Sequence, residues 1–320
     1  MIKKPTLPGV KIVIAKVLPK AQVLDFQRTS LGNMNWVYTV DLNNPPKKII
    51  LKVVYRKDRE EQEILAKEAK IIKILNKHKV KGVPKFIDFD HSKKEVPWVY
   101  LLESYLDGIP LKEYHEKVKE NTLYQIVIKA AKFITDIQKT KYKKITEFEK
   151  FRPEFKSFSK YVQHFSPKHC QICLDSNKMP KKLMKDSRDF VLKESKKIKD
   201  KEFVLNHSDV SSNNILIKNN KFVGIIDFES TQTMTPEFDL VTFYHEFLCH
   251  YPKLWQLLLK EYVKLNKVPK DFKERLNIIM AYRSLRYLYI AEKNKIYYYL
   301  KRDIIRMRET LDGTFLRTIK

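Results

Sequence analysis

No stretch of the sequence stays apolar for long enough to cross a bilayer. The longest nearly uncharged runs, VPWVYLL and VGIIDF, fall far short of the roughly 18 residues that a spanning helix needs. The basic start, MIKKPTLPGVKIVIAKVLPK, has Lys11 and Lys16 inside its apolar part and no small-residue cleavage site after it, so no secretory leader is expected. Cysteine is scarce too: three residues offer no disulfide framework and suit a reducing compartment, and a cytoplasmic protein is expected. Repeats and low-complexity tracts are missing, which excludes solenoid architectures. Acidic residues are the remaining shortage, with 38 Asp and Glu against 64 Lys and Arg.

The resulting net charge of +26 favours anionic partners: nucleic acid, a membrane surface or phosphorylated small molecules. Its distribution argues against a dedicated nucleic-acid face. Residues 141–200 and 241–320 each carry 17 basic and 8 acidic residues, so no stripe or tail emerges. The aromatics are not interleaved with a basic cluster as in RNA-binding modules. A Lys-rich solvated surface is the simpler reading, and nucleic acid is not expected as a partner. With 320 residues and 43% hydrophobic composition, the chain can bury a sizeable core as one large domain or two modest ones.

The layout predicts an α+β protein of two lobes. In the first hundred residues VKIVIAKVL and WVYTVDL alternate, KKIILKVVY is a nearly continuous apolar strand and VPWVYLLESYL is another. One helix interrupts them, over 58–77, with Ile64, Leu65, Ile71, Ile72 and Leu75 as its apolar face. After Asp107 and Gly108 the pattern turns helical over 111–139, parts of 155–200 and most of 239–310. Between the latter two, NILIKN and KFVGIIDF form a hairpin through Asn219, Asn220 and Lys221. The expected division is a small antiparallel-sheet lobe over 1–103, a hinge over 104–107 and a larger helical lobe over 108–320.

Three charges stand where apolar residues belong. Lys52 has apolar neighbours on both sides, and a buried ammonium needs a partner. Glu68 falls four residues after Ile64 and four before Ile72, on the apolar face of the first-lobe helix. The economical reading is that the two meet; the alternative is a Lys that snorkels and a Glu at the margin of the stripe. Asp227 ends the strand FVGIIDF and is either a turn cap or a cation ligand. The hairpin brings Asn214 and Asp227 to one end, two hard oxygen donors of the kind Mg²⁺ takes, with Asp209 facing the same space.

Together these residues resemble the aminoglycoside phosphotransferase and choline kinase-like small-molecule kinases, which share the protein kinase-like fold. The resemblance rests on His207-x-Asp209-x-x-x-x-Asn214, then Ile-Ile-Asp227-Phe and Phe238-Asp239-Leu, with Lys52, Glu68 and the connector ESYLDGIPL in the same order. It implies transfer of the ATP γ-phosphate to a hydroxyl of a small-molecule metabolite or antibiotic, with ATP and Mg²⁺ as cofactors. Asp209 resembles the catalytic base, and Asn214 and Asp227 the metal ligands. Lys52, held by Glu68, resembles the contact to the α- and β-phosphates. The connector residues Glu103, Ser104, Tyr105 and Leu106 resemble the nucleotide-binding hinge, and Gly32 and Asn35 belong to the phosphate-covering loop. His207 is expected to pack the loop, and Asp239 to tie it down.

The pattern has departures. The loop RTSLGNMNWVYTV carries one glycine, so close backbone approach to phosphates is less assured. No Lys or Arg stands two residues after Asp209, which weakens a protein-kinase reading. That reading, and a non-catalytic nucleotide- or nucleic-acid-binding module on the same fold, are the alternatives. Trp255, Tyr282, Tyr287, Tyr289 and Tyr297 to Tyr299 are candidates for cation–π contact with an amino-alcohol acceptor, though aromatics at helical spacing are more often core. The region at net +9 looks poorly suited to a polycation. Cys170 and Cys173, with His169, Cys249 or His250, offer a conceivable zinc set; ordinary packing is the simpler expectation.

Overall fold

A computed structural model describes residues 4–30, 35–54, 59–149, 152–297 and 300–319. Helix α1 (Leu7–Val17) leads into strands β1 (Val23–Ser30), β2 (Asn35–Leu42) and β3 (Lys48–Val54), then helix α2 (Arg59–Lys77), β4 (Phe86–Asp90) and β5 (Tyr100–Ser104). The five strands make one antiparallel sheet in the order β1-β2-β3-β5-β4. The period-2 alternation of β3 explains its unbroken apolar sequence. Ile49, Leu51 and Val53 pack with Trp36, Trp98 and α1 on one face. Ile50 and Lys52 turn to the other, where α2 and the rest of the molecule cover them.

The first apolar segment departs from expectation. VKIVIAKVL is not a strand but the body of α1. The Thr6 hydroxyl accepts from Gly9 N–H as an N-cap, and Pro8 supplies a helical φ in the first turn. Val10, Val13 and Ile14 then fall on one buried stripe while Ile12, which a strand would place on the same face as Val10 and Ile14, is 48% exposed. The two lysines five apart also break period two, and the caps override the β-branched composition.

The second half opens with β6 (Ile109–Pro110), α3 (Leu111–Tyr114), α4 (Glu120–Ile137) and β7 (Lys141–Tyr142), followed by α5 (Phe158–Asp175) and α6 (Lys181–Glu194). Short strands β8 (Phe203–Asn206), β9 (Ile215–Lys218), β10 (Lys221–Ile225) and β11 (Gln232–Met234) come next. Helices α7 (Phe238–Glu246), α8 (Pro252–Leu265), α9 (Phe272–Asn294), α10 (Leu300–Leu311) and α11 (Thr314–Arg317) complete the chain. The expected hairpin is β9–β10, and Asn219 and Asn220 both take positive φ, 50° and 62°, as a two-residue reversal of this hand requires. A glycine pair joins the hairpin to the first lobe. Gly82 has φ +81°, its carbonyl accepts from Ile225 N–H at 3.0 Å, and Gly224 packs directly against its backbone.

The core is continuous across the lobes. Leu65, Ile72 and Leu101 of the first lobe belong to the same apolar cluster as Ile215, Ile225 and Phe228 of the second. Among the described residues no helix is long and apolar enough to cross a membrane.

Candidate active site

β3 carries Lys52 and α2 carries Glu68 into contact. The ammonium lies 2.6 Å from Glu68 Oε1, 3.5 Å from Asp227 Oδ1 and 3.8 Å from Glu103 Oε1. Burial alone would drive Lys52 to lose its proton; the charges of Glu103, Glu68 and Asp227 overcome it and hold its pKa well above the ordinary value. Glu68 has a second task. The same oxygen accepts the N–H of Phe228 at 3.0 Å, so one carboxylate joins β3 to the turn that follows Asp227. Glu68 is fully buried and is not among the residues that line the cleft.

Asp227 adopts left-handed backbone angles, φ 73° and ψ 73°, a conformation Asp tolerates better than most residues. Both flanks are pinned. Ile226 N–H donates to Asn214 O at 3.0 Å and Phe228 N–H to Glu68. The hairpin therefore does bring Asn214 and Asp227 together. Asn214 Nδ2 donates to Asp209 O at 2.9 Å and Asp209 Oδ2 at 2.8 Å, which leaves its Oδ1 without a partner among the described residues.

The loop from β8 to β9 is held from below. Asp239 is fully buried and accepts from the backbone N–H of His207 at 2.9 Å and of Ser208 at 2.8 Å. His207 Nδ1 accepts from Asp209 N–H at 3.3 Å, which assigns the proton to Nε2 for donation to Ile226 O at 3.0 Å. Burial depresses the His207 pKa and keeps the ring neutral, as that tautomer requires. His207 thus packs the loop.

These groups open on one cleft of about 880 Å³ between the lobes. The hinge candidates Glu103, Ser104, Tyr105 and Leu106 line it, as do Asn35, Lys52, Asp209, Asn214 and Asp227. Asn35 is buried; its Nδ2 donates to Glu229 Oε2 at 3.4 Å and its Oδ1 has no partner among the described residues. Ser104 is tied to Lys85 by N–H···O and Oγ···H–N contacts of 2.9 and 2.8 Å. Gly32 lies outside the described residues.

Several cleft residues were not singled out from the sequence. Glu229, the third residue of the Asp-Phe-Glu run, is pushed up to about 9 by burial, then by Asp227 and Glu68. Glu246 at the end of α7 and Arg302 on α10 also line the cleft; so does Tyr287 on α9, which the sequence had offered for cation–π contact. Burial raises the Glu246 carboxyl, but the His245 hydrogen bond and the charges of His245, Arg302 and Arg283 win and hold it well below the usual range. Of the other aromatics proposed for cation–π contact, Trp255 and Tyr282 are core and Tyr289 stacks on His169 at 4.2 Å; the Tyr297 ring lies under Lys178 at 3.6 Å. Tyr298 and Tyr299 lie outside the described residues.

Six carboxylates, Glu103, Glu113, Asp209, Asp227, Glu229 and Glu246, line the cleft against two cations, Lys52 and Arg302. The sign is the reverse of the chain's. Burial and the Asp227 charge raise Asp209 to about 6, and burial raises Glu103 to about 7, so the carboxylates compete for too little positive charge. A divalent cation between Asn214 Oδ1 and Asp227 would relieve this, and the donor set is the hard-oxygen kind that Mg²⁺ takes. Among the described residues no group of three or more His, Cys, Asp or Glu side chains forms a metal site. Mg²⁺ here would complete its shell with water and phosphate oxygens. Cys170 and Cys173 bury their sulfurs with Met179, Met184 and Met307, where burial pushes Cys173 up to about 12; Cys249 packs against a different cluster.

A family model described as the phosphotransferase enzyme family matches residues 23–263. No curated protein matches the chain. Among solved structures, ADP-bound aminoglycoside phosphotransferase APH(2'')-Ib aligns with a TM-score of 0.64 at 14% identity, over 97% of this chain and 99% of that one. The GDP complex of a mutant aminoglycoside 2'-phosphotransferase-IIIa gives 0.68 at 13%, over 98% and 100%. The streptomycin–ATP–APH(2'')-IIa ternary complex gives 0.61 at 14%, over 99% and 100%. These likenesses establish the two-lobed kinase-like α+β fold.

Proposed function

The chain belongs to the phosphotransferase enzyme family, and from that premise we propose that it moves the γ-phosphate of ATP, with Mg²⁺, to a hydroxyl of a small-molecule metabolite or antibiotic. One observation carries the reading. Lys52 of β3, Asp209 and Asn214 of the β8–β9 loop and Asp227 after β10 come from three separate stretches of chain and line a single cleft, each oriented by a named hydrogen bond or ion pair. Packing alone would not assemble a lysine and six carboxylates there, because apolar replacements are often as stable.

ATP supplies the phosphoryl group; Asn214 and Asp227 would hold Mg²⁺, which when bound would offset the charge on the phosphates. Lys52, kept charged and aimed by Glu68, binds the α- and β-phosphates. Asn35 and Gly32 are assigned to phosphate contact by the family resemblance, and Glu103, Ser104, Tyr105 and Leu106 to the base-binding hinge. Asp209 accepts the acceptor hydroxyl's proton as that oxygen bonds to phosphorus and ADP leaves. In this reading 1–103 is the nucleotide lobe, 104–107 the hinge and 108–320 the catalytic and acceptor lobe. The acidic lining disfavours an anionic acceptor and removes the objection that the region's positive charge raised against cationic ones.

The test is an ATP-consumption screen against alcohols, amino alcohols, sugars and aminoglycosides, with a protein substrate panel as comparison. Acceptor-dependent ADP release from a small molecule supports the proposal. Release with proteins alone would make it a protein kinase, and nucleotide binding with no transfer to any acceptor would favour the non-catalytic module.

A further inference from the structure

Two neighbours on α2 carry opposite charges into the interior. Glu68 meets Lys52 and the Phe228 N–H, and Lys67, the residue before it, is itself only 6% exposed. The Lys67 ammonium donates to Glu149 Oε1 at 2.9 Å, and the Glu149 side chain is 9% exposed. A pair so nearly withdrawn from water gives up hydration that its attraction scarcely offsets, so stability alone does not explain it.

Glu149 lies between β7 and α5, in a segment firmly tied to the second lobe. Thr146 N–H donates to Thr233 Oγ1 at 2.7 Å and Thr233 N–H to Thr146 O at 2.9 Å, which fixes the segment to β11, the strand after the Asp227 turn. Ile145 and Phe155 exchange backbone hydrogen bonds of 2.8 and 3.0 Å across its base. Arg152 Nε donates to Glu149 Oε2 at 3.1 Å, so both oxygens of that carboxylate are held. From this platform two groups reach the first lobe: Glu149 to Lys67, and the Phe148 ring, with the Lys70 ammonium 5.4 Å from its centre. Lys67 and Lys70 are three residues apart and share one face of α2.

The apolar grip on α2, through Leu65, Ala69 and Ile72, is non-directional and does not by itself fix how the helix is turned. The Lys67 pair does. Successive helical residues stand about 100° apart, so a rotation of α2 that parts Lys67 from Glu149 also carries the adjacent Glu68 carboxylate away from Lys52.

We propose that Lys67 and Glu149 are positioning residues for phosphoryl transfer: their ion pair fixes the rotation of α2, so that Glu68 holds Lys52 against the nucleotide phosphates. This rests on the ATP-dependent phosphotransfer proposed above.

The experiment measures binding of Mg²⁺-ATP and of adenosine by calorimetry to folded wild type, Lys67→Met, Glu149→Gln and the double variant. Each change is expected to weaken ATP about threefold or more, the size of a coupling within one charge network, and to leave adenosine, which has no phosphate for Lys52, within about twofold of wild type. The double variant removes both buried charges, so the measurement stands even where a single variant fails to fold. Lys67→Arg keeps the charge and should restore ATP affinity. In a Glu68→Gln background, with no carboxylate left to aim, Lys67→Met should cost ATP no further affinity. A pair with only a structural role would lower the melting temperature and leave ATP binding of the folded protein unmoved. Unchanged ATP affinity in the folded variants, adenosine weakened in step with ATP, or an undiminished loss in the Glu68→Gln background would overturn the assignment and leave the phosphotransfer reading standing. Failure of folded wild-type protein to bind ATP would overturn both.

Discussion

At the scale of single residues, the site is an arrangement of charges that only make sense in company. Lys52 and Glu68 are 8% and 0% exposed in their side chains, so removing either strands the other. We expect Lys52→Met and Glu68→Gln each to lower stability, and the double variant to cost less than their sum by about 1 kcal/mol or more in a denaturation cycle. Strict additivity would mean that the pair does not form. Asp239 offers a second test. Asparagine there would turn one acceptor into a donor facing a backbone N–H, and a loss of about 1–3 kcal/mol is expected in urea unfolding; an unchanged midpoint would remove its role in holding the loop. Lys52, Glu68 and Asp227 were legible in the sequence because a charge inside an apolar run is conspicuous. Glu246 and Arg302 were not, because a Glu or Arg on a helix reads as a solvated face until the fold turns it inward.

At the scale of elements, the hairpin β9–β10 is the part that delivers Asn214 and Asp227, and its seat on the first lobe is the contact of Gly224 with Gly82. A Cβ at Gly224 would stand 2.2 Å from Gly82 O, backbone against backbone, and Gly82 at φ +81° cannot easily adapt. Gly224→Ala is therefore expected to cost about 1–3 kcal/mol of stability and to weaken nucleotide binding as Asp227 shifts; thermal melting with and without nucleotide reads both. A variant that melts and binds like wild type would show that the two backbones do not meet. This hairpin could be read from its Asn-Asn turn, and α2 from its apolar stripe. The segment of α1 could not, since its helix is decided by Thr6 and Pro8 at the start rather than by the β-branched residues inside it. The strands β8 and β11 are three or four residues long and buried throughout, too short for any period to show.

At the scale of the whole molecule, a chain of net +26 presents a cleft whose lining is acidic, so bulk charge and site charge answer different questions. The order of the elements carried the fold, because the five-stranded lobe, the connector and the mainly helical lobe follow one another along the chain. The sign of the cleft was out of reach, since Glu103 of the first lobe and Glu113, Glu229 and Glu246 of the second come from distant stretches of chain that only the fold brings to one cleft. With the basic excess dispersed, binding to tRNA or duplex DNA should be weak and vanish near physiological salt; a sub-micromolar complex there, with a steep salt slope, would restore a nucleic-acid role. The central claim is that two carboxylates in this cleft do different work, Asp227 holding the metal and Asp209 taking the proton. The most direct measurement is the melting temperature of wild type, Asp227→Ala and Asp209→Asn, each with and without Mg²⁺-ATP. Nucleotide at 100 times its dissociation constant should stabilise wild type by about 2.7 kcal/mol. Asp209→Asn should keep that stabilisation while its turnover falls by about 10² to 10⁴ once an acceptor is known, and Asp227→Ala should lose it. Stabilisation retained by Asp227→Ala and lost by Asp209→Asn would reverse the two roles, and no stabilisation of wild type would contradict the account itself.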